Sequence, residues 1–242
     1  MFPLTAPLQR EFYERPTLTV ARALIGTYLV HQRDGQRRIG RIVETEAYQG
    51  PKDLAAHSSR GRTRRTEVMF GAAGHAYVYL IYGFWDCLNV VTGSIGTPHA
   101  VLIRGLEPVE HLREKTWGPG LLCRAMRIDR SLNGADFCSS PLTLHAPRRG
   151  DPKPVIERTT RIGVDYAGDW AHKPWRFFER DSPFVSTARG AATLRARERA
   201  LSGTHSPGIH PAHGDRSSAS RSTSDVSKAA RLIRRRSRPG GG

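Results

Sequence analysis

The stretch RIVETEAY, residues 41–48, sets two carboxylates and an aromatic ring at alternate positions. Side chains of an extended strand alternate between faces, so Glu44, Glu46 and Tyr48 share one face and Val43, Thr45 and Ala47 the other. Two carboxylates about 7 Å apart on one face suit general acid–base work. An exposed or ion-paired strand carboxylate is far commoner than a catalytic one, so the pattern alone assigns neither glutamate. A second constellation lies in HAYVYLIYG, residues 75–83, where Tyr77, Tyr79 and Ile81 should share one face and Val78, Leu80 and Tyr82 the other. Tyr79 and Tyr82 then project in opposite directions, one able to line a pocket and the other, just before Gly83, to protrude as a wedge that unstacks bases. On pattern alone, an ordinary aromatic core strand is the commoner arrangement. Between these strands, AAHSSRGRTRRTE carries Arg60, Arg62, Arg64 and Arg65, a density suited to phosphate contacts.

Cys87, Cys123 and Cys138 form neither an even framework nor a C-x-x-C pair, and the ten histidines lack a zinc-like spacing. The expectation is no disulfide, no metal and no cofactor.

These residues must be positioned by a chain of 242 residues with 38 Lys+Arg against 22 Asp+Glu, a net charge of +16. Such an excess favours a polyanionic partner. The longest apolar stretch, Ala76 to Trp85, is about half of what a helix needs to span a bilayer. The opening MFPLTAPLQREFYERP offers no cationic start followed by an apolar signal core, so a soluble intracellular protein is expected. Residues 1–186 hold 26 Lys+Arg and 19 Asp+Glu, whereas residues 187–242 hold 12 against 3, so most of the excess lies in the last quarter. That last stretch is rich in Ser, Ala, Gly and Arg and lacks sustained apolar periodicity. It reads as a disordered basic tail, either a non-specific nucleic-acid tether or a solvated extension. Residues 1–186 are sized for one domain.

Within that body, Leu18, Ala21, Leu24 and Ile25 mark one helical face between Thr17 and Gly26. TYLVHQ and RRIGRIVETEAY flank Asp34-Gly35, a β-hairpin signal. HAYVYLIYG, LNVVT and HAVLIRGLEP follow as short strands joined by turns, LLCRAMRI reads as a helix, and residues 148–154 read as a surface loop. Strands linked by turns rather than crossover helices argue for an α+β fold: a single mixed domain with a mostly antiparallel, curved sheet and peripheral helices.

Taken in order, RIVETEAY, AAHS, GRTRRTEVMFG, AYVYLIYG, CLNVVT, VLIRGLEP, GPGLLCRA and RIGVDYAG resemble the alkyladenine (3-methyladenine) DNA glycosylase family, over about residues 9–186. These are monofunctional enzymes that excise alkylated and deaminated purines. The resemblance implies that Glu46 is the carboxylate that deprotonates a water, which Arg104 and the main-chain carbonyl of Ile162 help to hold. It implies that Tyr48, His57 and Tyr79 sandwich an extruded base, that backbone at Ala55 and His57 reads its edge, and that Tyr82 fills the vacated stack. It implies that Asn89 discriminates against the exocyclic amine of guanine, while Glu44 stays structural. Arg60, Arg62, Arg64 and Arg65 become contacts to the DNA backbone.

The implied substrates are 3-methyladenine, 7-methylguanine and hypoxanthine in double-stranded DNA, attacked at C1′ by water to leave an abasic site for base excision repair. With water as nucleophile, no lysine Schiff base is required. The implied protein is a monomer without membrane partners, cytoplasmic and nucleoid-associated, or nuclear if eukaryotic. Two departures stand out: Arg64 where the family often has Pro, and Trp85 with Asp86 near the wedge, where an acid could repel phosphate. Two other classes remain: a catalytically silent architectural protein of the minor groove, and a nucleoside hydrolase acting on a small substrate through Glu46.

Overall fold

The computed structural model describes residues 1–186, so the expectation for the tail, residues 187–242, lies outside the described residues. Two short helices open the chain, α1 (Arg10–Tyr13) and α2 (Thr17–Ala23), followed by the hairpin strands β1 (Tyr28–Arg33) and β2 (Gln36–Gln49). The turn residues Asp34 and Gly35 both have positive φ, 54° and 68°. That twist matches the right-handed twist of the flanking strands. Next come β3 (Ala76–Ile81), β4 (Trp85–Thr92), β5 (His99–Glu110), α3 (Pro119–Met126), β6 (Leu142–His145), β7 (Ile156–Thr159) and β8 (Arg176–Glu179). All strand pairs are antiparallel, as expected for an α+β fold of this kind.

Among the described residues the strands form one eight-stranded sheet in the order β3-β4-β5-β2-β1-β6, with β8 joining β2 to β7. The strands β6, β7 and β8 are four residues each, too short for their alternation to be read from the sequence. β2 is the axis of the sheet: β1 pairs along its first half, β8 along Glu44–Glu46, and β5 along almost its whole length. The segment Ile42–Ala47 is therefore buried without a break rather than on alternate residues. One face of it packs on α2, with Thr45 Oγ1 donating to the Ala21 carbonyl at 2.8 Å and Ala47 in the main core with Val20, Ala21 and Leu24. The other face carries Glu46 and Tyr48.

The β2–β5 register slips twice beside Glu44. Ile42 pairs with Leu106, Glu44 with Gly105 and Thr45 with Ile103, so Val43 and Arg104 are each left over. Such bulges bend a strand and re-aim the extra side chain. The one at Val43 interrupts the simple parity expected across residues 43–47, and the one at Arg104 brings a guanidinium from β5 against the carboxylates of β2.

Helix α2 begins at Thr17, as expected. The buried Thr17 hydroxyl meets His99 Nδ1 at 3.1 Å and accepts from Thr92 Oγ1 at 3.0 Å. Helix α3 has Pro at its first turn and buries Leu122, Cys123, Ala125 and Met126 against the sheet. Among the described residues, no helix is long and apolar enough to cross a membrane.

Candidate active site

Glu44 and Glu46 both have no exposed surface, yet their surroundings differ. Glu44 Oε1 accepts from Arg176 Nε at 2.7 Å, from Arg104 Nε at 3.1 Å and from the Ser186 hydroxyl at 2.8 Å, while its Oε2 accepts from the Ser186 amide at 2.5 Å. Two guanidinium groups and Ser186 enclose it, which is a structural arrangement. Glu46 Oε1 accepts from the Ile162 amide at 2.8 Å, and its Oε2 accepts from the Tyr48 hydroxyl at 2.8 Å and from Arg104 Nη1 at 3.4 Å. The contact with Ile162 thus runs through its N–H. Burial opposes the charge on Arg104, but Glu46 and Glu44 outweigh it and hold the guanidinium above its ordinary value. Burial, followed by the nearby Glu46, raises the Tyr48 phenol well above its usual range, so Tyr48 stays a hydrogen-bond donor.

A cleft of about 480 Å³ opens beside this cluster, lined by Tyr48, His57, Tyr79, Asn89, Arg104 and Ile162 among others. Ala55 and Tyr82 also border it, so every residue expected to contact a base reaches one cleft. Tyr77, Tyr79 and Ile81 all line it, as their shared strand face requires. His57 and Tyr79 meet edge to face, with centroids 4.4 Å apart and planes at 80°. The His57 ring also engages the Tyr77 hydroxyl through Nδ1 at 3.0 Å. Burial, then Arg65 and Arg60, lowers His57 from 6.5 to about 4, so at neutral pH its ring is uncharged. Asn89 Nδ2 donates to the Tyr77 carbonyl at 3.0 Å, which fixes the orientation of its amide. The Ala55 amide is engaged by Asp53 Oδ1 at 3.1 Å, and its carbonyl accepts from the Tyr166 hydroxyl at 3.4 Å.

Tyr82 is 80% exposed and stands outside β3 with φ of 53°, followed by Gly83 at 78°. Strand parity therefore does not govern it, and it does not share a face with Val78 and Leu80 as the sequence suggested. A bulky residue held in left-handed backbone is costly and recurs at functional sites. The turn thrusts an aromatic ring into solvent at the mouth of the cleft.

The four loop arginines are all exposed but not equivalent. Arg62 is bound to Glu67, with Nη2 to Oε1 at 2.5 Å. The Arg65 guanidinium lies 5.1 Å over the Tyr79 ring, which ties the basic loop to the cleft wall. Asp86 faces Arg130 at 3.6 Å, so it is not a free acid at the hairpin tip. Trp85 packs against Gly120, where an added Cβ would come within 2.8 Å of the indole.

Sequence reasoning missed Arg161 and Asp53. Both side chains are wholly buried and form a two-pronged pair, Nη1–Oδ2 at 2.5 Å and Nη2–Oδ1 at 2.9 Å. Arg161 also donates to the Ala47 and Trp170 carbonyls at 3.0 and 2.9 Å and lies 4.7 Å from the centre of the Tyr48 ring. Asp53 accepts from the amides of Gln49 and Ala55. One ion pair therefore supports Tyr48, the loop bearing Ala55 and His57, and the segment whose next residue, Ile162, holds Glu46. The signal available was the Arg immediately before Ile162 in RIGVDYAG. Among the described residues, no group of three or more His, Cys, Asp or Glu side chains is placed to hold a metal ion.

The family model described as Methylpurine-DNA glycosylase (MPG) matches residues 11–183. Three curated relatives carry the provisional name 3-methyladenine DNA glycosylase. One from Legionella pneumophila (strain Corby) is 52% identical over 179 residues, covering 74% of this chain and 97% of the relative. One from Myxococcus xanthus (strain DK1622) is 54% identical over 181 residues, covering 74% and 93%. One from Methanocella arvoryzae (strain DSM 22066 / NBRC 105507 / MRE50) is 52% identical over 192 residues, covering 74% and 95%.

Proposed function

The chain belongs to the methylpurine-DNA glycosylase family, and from that premise we propose that it excises damaged purines from double-stranded DNA by Glu46-activated attack of water at C1′. As a DNA-3-methyladenine glycosylase it is a hydrolase acting on N-glycosyl bonds. The observation that carries the finer reading is the Glu46 carboxylate at the edge of an aromatic cleft, oriented by Ile162 N–H, the Tyr48 hydroxyl and Arg104.

A base inside a duplex is inaccessible to a buried carboxylate, so the nucleotide must be swung out, at a cost of a few kcal/mol. The cleft of about 480 Å³ suits one flat base. Tyr48 and the paired rings of His57 and Tyr79 supply stacking surface, worth about 1–3 kcal/mol per base. Tyr82, exposed at the cleft mouth, fills the gap left in the stack. Cleavage of the N-glycosyl bond develops positive charge on the sugar. The Glu46 carboxylate then acts twice, taking a proton from water and stabilising the cationic sugar. Arg104 helps hold the water, and the Ile162 carbonyl is a second candidate for the same task. Asn89, its amide held by the Tyr77 carbonyl, crowds the exocyclic amine of guanine. Ala55 and His57 backbone groups read the base edge, the Ala55 carbonyl once the Tyr166 hydroxyl yields it. Alkylation makes the purine a cationic leaving group, which suits 3-methyladenine and 7-methylguanine; hypoxanthine needs further assistance to depart.

A silent architectural protein would have no use for a buried carboxylate held by three donors at the cleft. The test is a duplex carrying one hypoxanthine or 3-methyladenine, incubated with the protein and then treated with alkali. Strand breaks at the lesion and nowhere else are expected. An intact lesion strand with both substrates would overturn the proposal.

A further inference from the structure

The hairpin tip at residues 82–85 borders two clefts. On one side is the base cleft, which Tyr82 and Trp85 line. On the other is a cleft of about 380 Å³ lined by Phe84, Trp85 and Asp86 together with Arg33, Arg38 and Arg124. Trp85 and Gly120 border both, so the partition between them is a single indole packed on α3. Phe84 is 67% exposed at the rim.

Most charges in the second cleft are answered within the protein. Arg33 pairs with Asp129 at 3.0 Å and reaches Asp34 at 3.7 Å. Arg127, also on this cleft, pairs with Glu114 at 3.0 Å, and Asp86 faces Arg130 at 3.6 Å. Two guanidinium groups remain. Arg38 has a buried Nη1 with no hydrogen-bond partner. Arg124 is exposed and lies 5.7 Å over the Trp85 ring. Among the described residues, neither forms an ion pair with a carboxylate.

A guanidinium that borders a cleft and has no carboxylate partner is open to a ligand that supplies acceptors. Guanidinium forks match the oxygens of a phosphodiester, and an arginine lying over an aromatic face keeps its donors free for one. The geometry points to a phosphodiester of the DNA strand opposite the lesion as the ligand of this second cleft, with Arg38 and Arg124 as its donors. The inference rests on the base-excision reading, in which a tip filling the vacated stack has the lesion strand on one side and the intact strand on the other. The lesion strand delivers its nucleotide to the base cleft, and the intact strand passes the cleft beyond Trp85. None of the loop arginines, residues 60–65, borders this second cleft.

The test scans a neutral methylphosphonate linkage along the undamaged strand of a lesion duplex and measures affinity of the full-length chain. At one or two adjacent positions the substitution should weaken wild-type binding several-fold. Arg124→Gln, at an exposed helix position, should be insensitive to substitution at those positions. Its slope of log K against log salt should be shallower by about 0.9 for the lost contact. Arg38→Gln should behave likewise; if it fails to fold, Arg124→Gln decides alone. A wild type indifferent to every linkage in that strand, or a variant that loses as much as wild type, overturns the inference. If inorganic phosphate displaces the duplex from wild type better than chloride at equal ionic strength, while the scan is flat, the cleft serves a free anion and the inference falls. Lesion excision by the same wild-type preparation keeps the two readings apart. Excision with a flat scan removes only the second cleft, whereas absent excision removes the reading beneath it.

Discussion

Glu44 and Glu46 stand two positions apart on β2, equally buried, and Arg104 touches both, with Nε 3.1 Å from Glu44 and Nη1 3.4 Å from Glu46. Glu44 is further enclosed by Arg176 and Ser186, whereas Glu46 borrows a backbone amide and a phenol and sits with Tyr48 at the cleft. The same residue type on the same strand therefore has two different surroundings, one closed off by guanidinium groups and Ser186 and the other set beside the aromatic cleft.

Glu46→Gln should abolish excision, with a loss of at least about 10²- to 10⁴-fold, the usual worth of a positioned proton acceptor. Lesion affinity should be retained, because the aromatic slot and the tip are untouched. Single-turnover rates at saturating protein check this, and unchanged release by the variant would eliminate Glu46 as the base.

Glu44→Gln should instead act on stability. Removing one partner of a buried ion pair leaves Arg104 and Arg176 facing a neutral amide, at a cost of about 3–5 kcal/mol. Urea unfolding of parent and variant measures it. A difference below about 1 kcal/mol, the range of exposed pairs, would show that Glu44 does not hold the two guanidiniums in place.

Acid should weaken the fold partly through His57. Burial, then Arg65 and Arg60, lowers its folded-state value from 6.5 to about 4. Between those values the unfolded chain binds a proton that the folded chain refuses. The contribution is therefore present above about pH 6.5, is lost as pH falls towards 4, and levels off below. The loss is on the order of 3 kcal/mol. His31, His99 and His145 shift in the same direction. The informative quantity is therefore the difference between parent and His57→Gln, whose stability should fall less steeply over that window. Parallel curves would remove His57 from the effect.

Tyr82→Ser should impair capture of the swung-out nucleotide more than bond cleavage after capture. The side chain is 80% exposed, so unfolding midpoints should hardly move. Equal lesion affinity and equal excision in the variant would remove the wedge role.

Ending the chain after Ser186 retains the residue that caps Glu44 and removes residues 187–242, with 12 Lys+Arg against 3 Asp+Glu. Non-specific DNA binding should weaken and its salt dependence flatten, because fewer counterions are released. Single-turnover chemistry at saturating protein should persist. An identical salt slope would make that segment irrelevant to DNA.

Much of the site was legible because it is local. The two-residue period of a strand pairs Glu46 with Tyr48 and groups Tyr77 with Tyr79, and Asp34-Gly35 announces its hairpin. Ordered motifs, from RIVETEAY to RIGVDYAG, carry the family resemblance over nearly the whole described body. Parity failed at Tyr82 because the positive φ there is a property of the turn and not of the strand.

By itself the sequence determined the mostly antiparallel architecture, the candidate residues and the basic balance that favours a polyanion. Only the tertiary structure decided how the two glutamates differ, that Arg62 is spoken for by Glu67, and that Asp53 and Arg161 brace the pocket. The physical reason is range. Arg161 meets Asp53 across 108 positions, Ile162 meets Glu46 across 116, and Ser186 meets Glu44 across 142. The periodicities of helix and strand speak only of neighbours, while the identity of a buried charge's partner depends on which distant segments the sheet brings together and on a one-residue slip at Arg104 that no local pattern announces.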